Sequence, residues 1–388
     1  MERPALARTR WGGSVLLIEE SLPRRDRDAG GLFISQMLQL AAEAGLPVTV
    51  FAHDRNHPEP LVQELEDNGV HVVPPQEDWR AWIRDNDETL GSVIVARPEM
   101  GRRYVGEARR ITSARLIYYT VDLHFVREMR RFEATGDADA LRESRRLRKV
   151  ETRLLNAVDV AITPSTAEAT LIAEIAPQTP VYTVPPFVEA GAGGLPPGVP
   201  LAERQMLVMV GGYRHAPNVD AAVHLVRDVM PIVWRAIPQA TVELVGSDPP
   251  ASVLALGSDR VVVRGHVPEL AEVYARARMT VSPLRFGAGL KGKILSSLDA
   301  GVPVVTTSIG NEGFDLISGE EALIGDEPQL LAEHVIRLYR EPELLEGIGA
   351  RGRMAALTRF SKERARGSLM AALGEDSADQ SSRISLGL

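Results

Sequence analysis

The sequence predicts an α/β protein made of two doubly wound domains, and three observations carry that expectation. Short apolar runs bounded by turn residues alternate along the chain with segments of helical period, the pattern of successive βαβ units. The chain has 388 residues, too many for one ordinary compact core and suited to two. Near its middle lies PPFVEAGAGGLPPGVP, Pro185 to Pro200, a Pro- and Gly-rich stretch without periodicity that reads as a linker. The expected division is a first domain over 1–185, a linker over 186–203 and a second domain over 204–360. A closing helix over 361–373 and a mobile tail over 374–388 follow.

Ser14 to Glu19 (SVLLIE) is apolar on both faces, as a central parallel strand must be. The turn Asp28-Ala-Gly30-Gly31 then opens a helix and offers a place where a ligand can approach the backbone. PVTVFA, Val70 to Val73, Ser92 to Ala96, Leu116 to Thr120, Val158 to Thr163 and Val181 to Val184 read as further strands. Helical patterns separate them at Pro58 to Asn68, Gln76 to Leu90 and Pro98 to Ile111. In the second half, Gln205 to Val210, Ala240 to Val245, Val261 to Arg264, Met279 to Ser282 and Val302 to Thr307 are strand-like. Asn218 is expected to cap a helix reaching Ile237, and Ser361 the last helix, to about Leu373. Glu327 to Arg340 and Glu343 to Ala356 are helical between them.

Composition excludes several function classes. The net charge is −8 and neither half is basic, and aromatics make up only 5% of the chain, so nucleic acid is not an expected partner. There is no cysteine, which excludes disulfides and thiolate metal sites and fits a reducing cytoplasm. Met1 to Arg10 has no apolar stretch behind its basic residues and does not read as a signal peptide. No apolar run approaches the ~20 residues of a membrane span. A cytoplasmic protein is expected, with peripheral contact at the inner membrane face left open. Arg127 to Arg153 carries nine basic residues against six acidic ones and reads as a solvated helix pair, or, as a minority reading, a docking surface for anionic lipid. Inside it Asp137-Ala-Asp139 spells DxD, but after Gly136 and between helices it is best explained by capping.

The chemistry is expected at Leu284 to Gly313. Gly287, Ala288, Gly289, Leu290, Lys291, Gly292 and Lys293 join a strand to a helix. Glycines let the backbone pass close to a bound group, and the helix N-terminus with two ammonium groups favours a phosphate or diphosphate. The same residues match GxGxxG and the beginning of GxxxxGK. Both matches are imperfect. Ile294 replaces the Ser or Thr that would hold Mg²⁺ in a P-loop, and the next strand ends in Thr306, Thr307 and Ser308 rather than in an acidic residue. Thr120-Val-Asp122-Leu-His124 ends another strand at its carboxyl end, where open α/β sheets bind ligands.

Read as a whole, Pro283 to Arg285, Gly287 to Gly289, Lys291 to Ile294, Gly301, Pro303 to Thr307, Gly310, Glu312 and Gly313 form PLRxGAGxKGKIxxxxxxGxPVVTTxxGxEG. This resembles the donor-binding region of GT-B glycosyltransferases of the family 4 type, in a bacterial branch that works on cell-surface polysaccharides and other glycoconjugates. The segment VDLH, the turn at Gly211, Gly212, Arg214 and His215, and the helix start Ser165-x-x-Glu168 are similar to further family segments, although capping alone would explain the last. The resemblance implies two Rossmann-like domains facing a cleft and no required cofactor. It implies a UDP-, GDP- or dTDP-sugar held by the second domain and a glycan, lipid-linked or small-molecule acceptor held by the first. It assigns catalytic contacts to Asp122, His124, Lys291 and Glu312. Donor contacts fall to Gly211, Gly212, Arg214, His215, His266, Arg285, the loop Gly287 to Lys293 and Ser296, and Gly30 and Gly31 face the cleft. Ser296 stands where family members commonly carry a ribose-binding Glu. Two other classes remain open at this stage, a catalytically silent scaffold of the same fold and a nucleotide-dependent enzyme of P-loop or dehydrogenase type.

Overall fold

The computed structural model describes residues 13–25, 28–189 and 200–374. Most of the expected linker and the tail beyond 374 lie outside the described residues. The first domain holds a seven-stranded sheet made of β1 (Ser14–Glu19), β2 (Val48–Ala52), β3 (Val70–Val72), β4 (Leu90–Ala96), β5 (Arg115–Tyr119), β6 (Val160–Thr163) and β7 (Val181–Thr183). Its order is β3-β2-β1-β4-β5-β6-β7 and every described pairing is parallel. The second domain holds β8 (Met206–Val210), β9 (Thr241–Val245), β10 (Val261–Gly265), β11 (Ala277–Ser282), β12 (Val304–Thr306) and β13 (Leu323–Ile324), in the order β10-β9-β8-β11-β12-β13. This sheet too is parallel throughout. In each domain the order reverses beside the first strand, which leaves a crevice at the carboxyl ends of β1 and β4, and of β8 and β11. The central strands are buried along their whole length, which is why their sequences are continuous apolar runs rather than alternating ones.

Three local differences from the sequence reading have physical causes. The helix expected from Gln76 to Leu90 is only Trp79–Asn86, because the Asp78 side chain accepts from Arg80 N and starts it there, while Leu90 already pairs in β4. The strand expected to reach Thr307 ends at Thr306, since the Thr307 hydroxyl accepts from Gly310 N at 3.1 Å and caps the short helix Ser308–Asn311. Asn218 is not a cap. His215 holds that position, and the helix runs as Ala216–His224, a π turn over Leu225–Val229 and then Met230–Ala236. The wider turn accommodates Pro231, which lacks an N–H and would clash with the preceding turn of a regular helix.

The last helix, Lys362–Leu373, packs on the first domain. Ala365, Leu369, Met370, Ala372 and Leu373 are buried in one cluster with Ile34, Met37 and Leu38 of the helix Ala29–Glu43. The Ser361 side chain accepts from Arg364 N, and Gly374 ends the helix in a left-handed conformation. Just before it, Val188 N donates to Phe360 O at 2.9 Å. A second apolar cluster ties the domains together, joining Phe33 and Val188 to Leu290, Ile294, Phe314 and Phe360.

Candidate functional site

On the first-domain side, Asp28 accepts from Gly31 N at 2.8 Å and so starts the helix Ala29–Glu43. A Cβ at Gly30 would lie 2.8 Å from Arg97 Nη2 and 2.9 Å from Val121, so a larger residue there would have to displace one of them. Arg97 reaches the same point after β4, and its Nε donates to Glu19 Oε1 at 3.0 Å. β5 ends in a tight turn in which Asp122 N donates to Thr120 O at 2.7 Å and Val121 takes a φ of 61°. A β-branched residue in the left-handed region is strained, and strain of this kind collects where a side chain must be presented at a fixed angle. The side chain presented is Asp122, which accepts from Arg127 Nη1 at 2.7 Å and stands 3.3 Å from His124 Nε2. Burial favours its neutral form, but the Arg127 guanidinium and His124 outweigh that and hold its carboxyl well below the usual carboxylate range. Beneath the following helix (His124–Thr135), buried Glu151 accepts from His124 N and Phe125 N at 3.2 and 2.9 Å. Burial, with Asp122 nearby, pushes the Glu151 carboxyl up to about 8.

On the second-domain side, β8 opens into Gly211 and Gly212. Asn218 Nδ2 donates to Gly212 O at 2.8 Å, its Oδ1 accepts from Lys293 Nζ, and a Cβ on Gly211 would lie 2.7 Å from Asn218 Cγ. Asn218 therefore joins the two glycine turns of the domain. Lys291 precedes the helix Gly292–Asp299, is 7% exposed, and donates to Glu312 Oε2 at 3.3 Å. Burial lowers its pKa, and Glu312 opposes the shift. Among the described residues no carboxylate pairs with Lys293, and burial with the Lys291 charge brings it down to about 7. An ammonium whose charge is this costly inside the fold gains most from an arriving anion.

The halves meet closely over the loop Gly287 to Gly292. Gly289 has a φ of 66°, and a Cβ on it would lie 2.8 Å from Asp122 Cβ; one on Gly292 would lie 3.0 Å from Ala29 Cβ. Two side chains fasten the loop to the first domain. Glu168 Oε1 accepts from Leu123 N at 2.8 Å and from Gly289 N at 3.0 Å, while Oε2 accepts from the Thr163 hydroxyl at 2.9 Å. Arg130 donates to Gly287 O at 2.8 Å and forks onto both oxygens of Glu312 at 2.6 and 2.7 Å. Between the halves lies a cavity of about 510 Å³.

Of the residues read from the sequence, Gly30, Asp122, His124, Gly211, Gly212, His215 and His266 line this cavity. So do Gly287, Ala288, Gly289, Leu290, Lys291, Lys293 and Ser296, and the Ser296 hydroxyl donates to Gly292 O at 3.0 Å. Four expectations need correction. Arg285 is not at the cavity; it is half exposed and forks onto Asp220. Arg214 is exposed, paired with Asp248 at 2.8 Å, and lines a neighbouring chamber, as does Gly31. Glu312, assigned a catalytic contact, is occupied by Arg130 and Lys291 and is not part of the cavity wall. Gly289 N, expected to be free for an anion, is held by Glu168. Glu168 is also not explained by helix capping, and Ser165 before it makes no capping bond. Asp137 does cap: its side chain accepts from Asp139 N at 2.9 Å.

Arg97, Arg127, Arg130, Glu168 and Asn218 went unread as site residues. In sequence Arg127 and Arg130 belong to an arginine-rich segment that reads as a solvated helix pair; their i, i+3 spacing at the start of the helix after VDLH is the one local signal of their place. Arg97 and Glu168 come from unrelated parts of the chain, and only folding brings them here.

A model of the family described as "Glycosyl transferases group 1" matches residues 204–341. A protein of Klebsiella pneumoniae described as an uncharacterized 44.6 kDa protein in the cps region is 37% identical over 68 residues, which span 18% of each chain. Among solved structures, sucrose-phosphate synthase from Thermosynechococcus elongatus superposes with a TM-score of 0.71 at 18% identity, covering 91% of this chain and 96% of that one. Anabaena HepE, solved in complex with UDP, gives 0.68 at 14% identity over 93% and 99% of the two chains. WaaG, described as a glycosyltransferase involved in lipopolysaccharide biosynthesis, gives 0.66 at 14% identity, again over 93% of this chain, and all of the other (100%).

Proposed function

We infer that this chain, a GT-B protein whose second domain is of the group 1 glycosyl transferase family, moves a sugar from a nucleoside-diphosphate sugar to an acceptor bound against the first domain. The observation that carries the reading is the pair of lysines, Lys291 buried and Lys293 half-buried, at the start of the helix Gly292–Asp299 in a cavity between the carboxyl ends of two parallel sheets. Breaking the sugar–phosphate bond leaves a nucleoside diphosphate with growing negative charge. Lys291, Lys293 once it takes up its proton, and a helix N-terminus, all held in position beforehand, stabilise it. Because the protein supplies these cations itself, we read the transfer as needing no added cofactor.

Asp122 and His124 line the same cavity as the lysines and are proposed to contact the transferred sugar or the incoming hydroxyl. Arg127 fixes Asp122 as an ionised acceptor. His215 and Gly212 extend the donor wall, and His266 and Ser296 lie on the nucleoside side. UDP is the first base to test, because HepE is described in complex with UDP and with UDP-glucose. The cps-region and lipopolysaccharide descriptions of two similar proteins support a place in cell-surface glycan assembly. We read the site of action as the cytoplasm or the inner membrane face, in keeping with a place in surface-glycan assembly; among the described residues no helix is long and apolar enough to cross a membrane. Retention of anomeric configuration is proposed from the family alone.

Thermal-shift and calorimetric titration with UDP-, GDP- and dTDP-sugars tests the reading. One donor is expected to stabilise the protein, and Lys291→Ala to abolish release of its nucleoside diphosphate. Absence of nucleotide binding at millimolar ligand would leave a silent scaffold, and Mg²⁺-dependent hydrolysis of a nucleoside triphosphate would point to the P-loop class.

A further inference from the structure

Lys291 and Glu312 both belong to the second domain, yet the shortest contacts of Glu312 run to the first. Arg130, on the helix His124–Thr135, forks onto Glu312 Oε1 at 2.6 Å and Oε2 at 2.7 Å, and its Nη1 also donates to Gly287 O at 2.8 Å. Lys291 Nζ shares Oε2 from 3.3 Å, longer than a charged hydrogen bond usually runs. The Arg130 and Glu312 side chains are only 24% and 19% exposed, so solvent screens the pair in part. Burial favours a neutral Glu312, but Arg130 and Lys291 outweigh it and hold the carboxyl below its usual range. Glu312 is therefore an anion at neutral pH, set between two cations from different domains.

The charge that Lys291 can offer a diphosphate depends on Arg130. A lysine facing only Glu312 belongs to a pair of zero net charge and holds an anion poorly, whereas arginine, carboxylate and lysine together carry one positive charge. Among the described residues Arg130 and Lys291 are the cations at Glu312, so parting the domains would leave Glu312 to Lys291 alone. The other charges that the first domain brings to the cavity largely cancel: Asp122 pairs with Arg127 and His124, Arg97 pairs with Glu19, and Arg25 and Asp28 are of opposite sign. Glu168 accepts from Leu123 N, Gly289 N and the Thr163 hydroxyl, and burial lifts its carboxyl to about 7, so below that pH it does not offset Arg130. Glu133, on the same helix as Arg130, is exposed to solvent.

We propose that Arg130 is a positioning residue that ties domain closure to the charge of the diphosphate site: by taking both oxygens of Glu312 from across the cleft it frees the Lys291 ammonium for the donor. The site is then fully cationic only while the domains are shut. The proposal rests on the glycosyl-transfer reading and adds to it how that site is switched. An open chain binds nucleotide weakly, and bound diphosphate holds the chain closed, the same coupling seen from either side.

The test is calorimetric titration of the full chain with UDP, GDP and dTDP at about pH 6, where Glu168 keeps its proton; the tightest of the three is then carried through the variants. Arg130→Met is expected to weaken it at least about tenfold, by leaving Glu312 to neutralise Lys291. Arg130→Met combined with Glu312→Gln should return to within about threefold of the native affinity, because no carboxylate remains to be matched. Glu312→Gln alone, with Arg130 in place, should bind at least as tightly as the native chain. If Arg130 only holds the loop, the double variant binds no better than Arg130→Met. A double variant that stays more than about threefold below the native chain overturns the inference, as does a smaller loss in Arg130→Met than expected or a Glu312→Gln weaker than native. Failure of the native chain to bind any of the three sinks the glycosyl-transfer reading as well.

Discussion

Replacing Glu168 by Ala and by Gln separates what its shape does from what its charge does. The side chain is 4% exposed and accepts three hydrogen bonds, two within the first domain and one from Gly289 N across the cleft. Glu168→Ala strips Leu123 N and Gly289 N of their partner, at about 1–3 kcal/mol for each group left buried and unpaired. A loss of about 2–6 kcal/mol follows if both stay buried. The Gly289 share is relieved if the cleft opens and water reaches it, so the cleft is expected to open. Gln should behave differently. Burial, with Asp122 adding to it, raises the Glu168 carboxyl to about 7, so the folded state holds a proton there that the unfolded chain gives up near the ordinary value of about 4.3. A raised carboxyl pKa contributes stability fully below the unfolded value and loses it as pH rises through the folded one. Protonated Glu168 can donate from Oε2 to Thr163 and still accept both amides on Oε1, and the Gln amide can do the same. Glu168→Gln should therefore match the native protein at pH 5, exceed it at pH 8, and make the fall in stability between about pH 4.5 and 7 shallower, the rest of it belonging to Glu151. Urea unfolding at a series of pH values measures this, with small-angle scattering to follow the opening of the Ala variant. A Gln variant as unstable as the Ala variant at pH 8 would show that the charge is needed and refute the argument.

Gly289→Ala should open the cleft while each domain stays folded, because its Cβ would stand 2.8 Å from Asp122 Cβ at a φ of 66°; scattering should show a larger radius of gyration and turnover should fall at least about tenfold. Leu369→Ala empties part of the first-domain core from the far end of the chain and should cost about 2–5 kcal/mol in urea, with the first domain losing most. Lys293, at about 7 when no anion is bound, must be charged to grip a diphosphate, so donor binding should take up a proton and weaken as pH rises above about 7. Calorimetry in buffers of different ionisation enthalpy measures that uptake, and Lys293→Met should abolish it.

What the sequence by itself determined was local. Parallel strands buried on both faces must be continuous apolar runs, which is why SVLLIE and the strands that follow it could be read directly. Glycines between a strand and a lysine-bearing helix start form a pattern that favours an anion, so Lys291 and Lys293 could be named as candidates before any fold was known. Ser361 could be placed as a cap for the same reason, since a cap bonds within one turn. Tertiary structure alone decided what those residues do to one another. It spent Gly289 N on Glu168 and Glu312 on Arg130, partners 121 and 182 residues away. It also moved Arg285 out to Asp220. The physical reason is that hydrogen-bond capacity is finite: a sequence shows which groups can bind a ligand, but only the packed chain shows which of them the protein has already used.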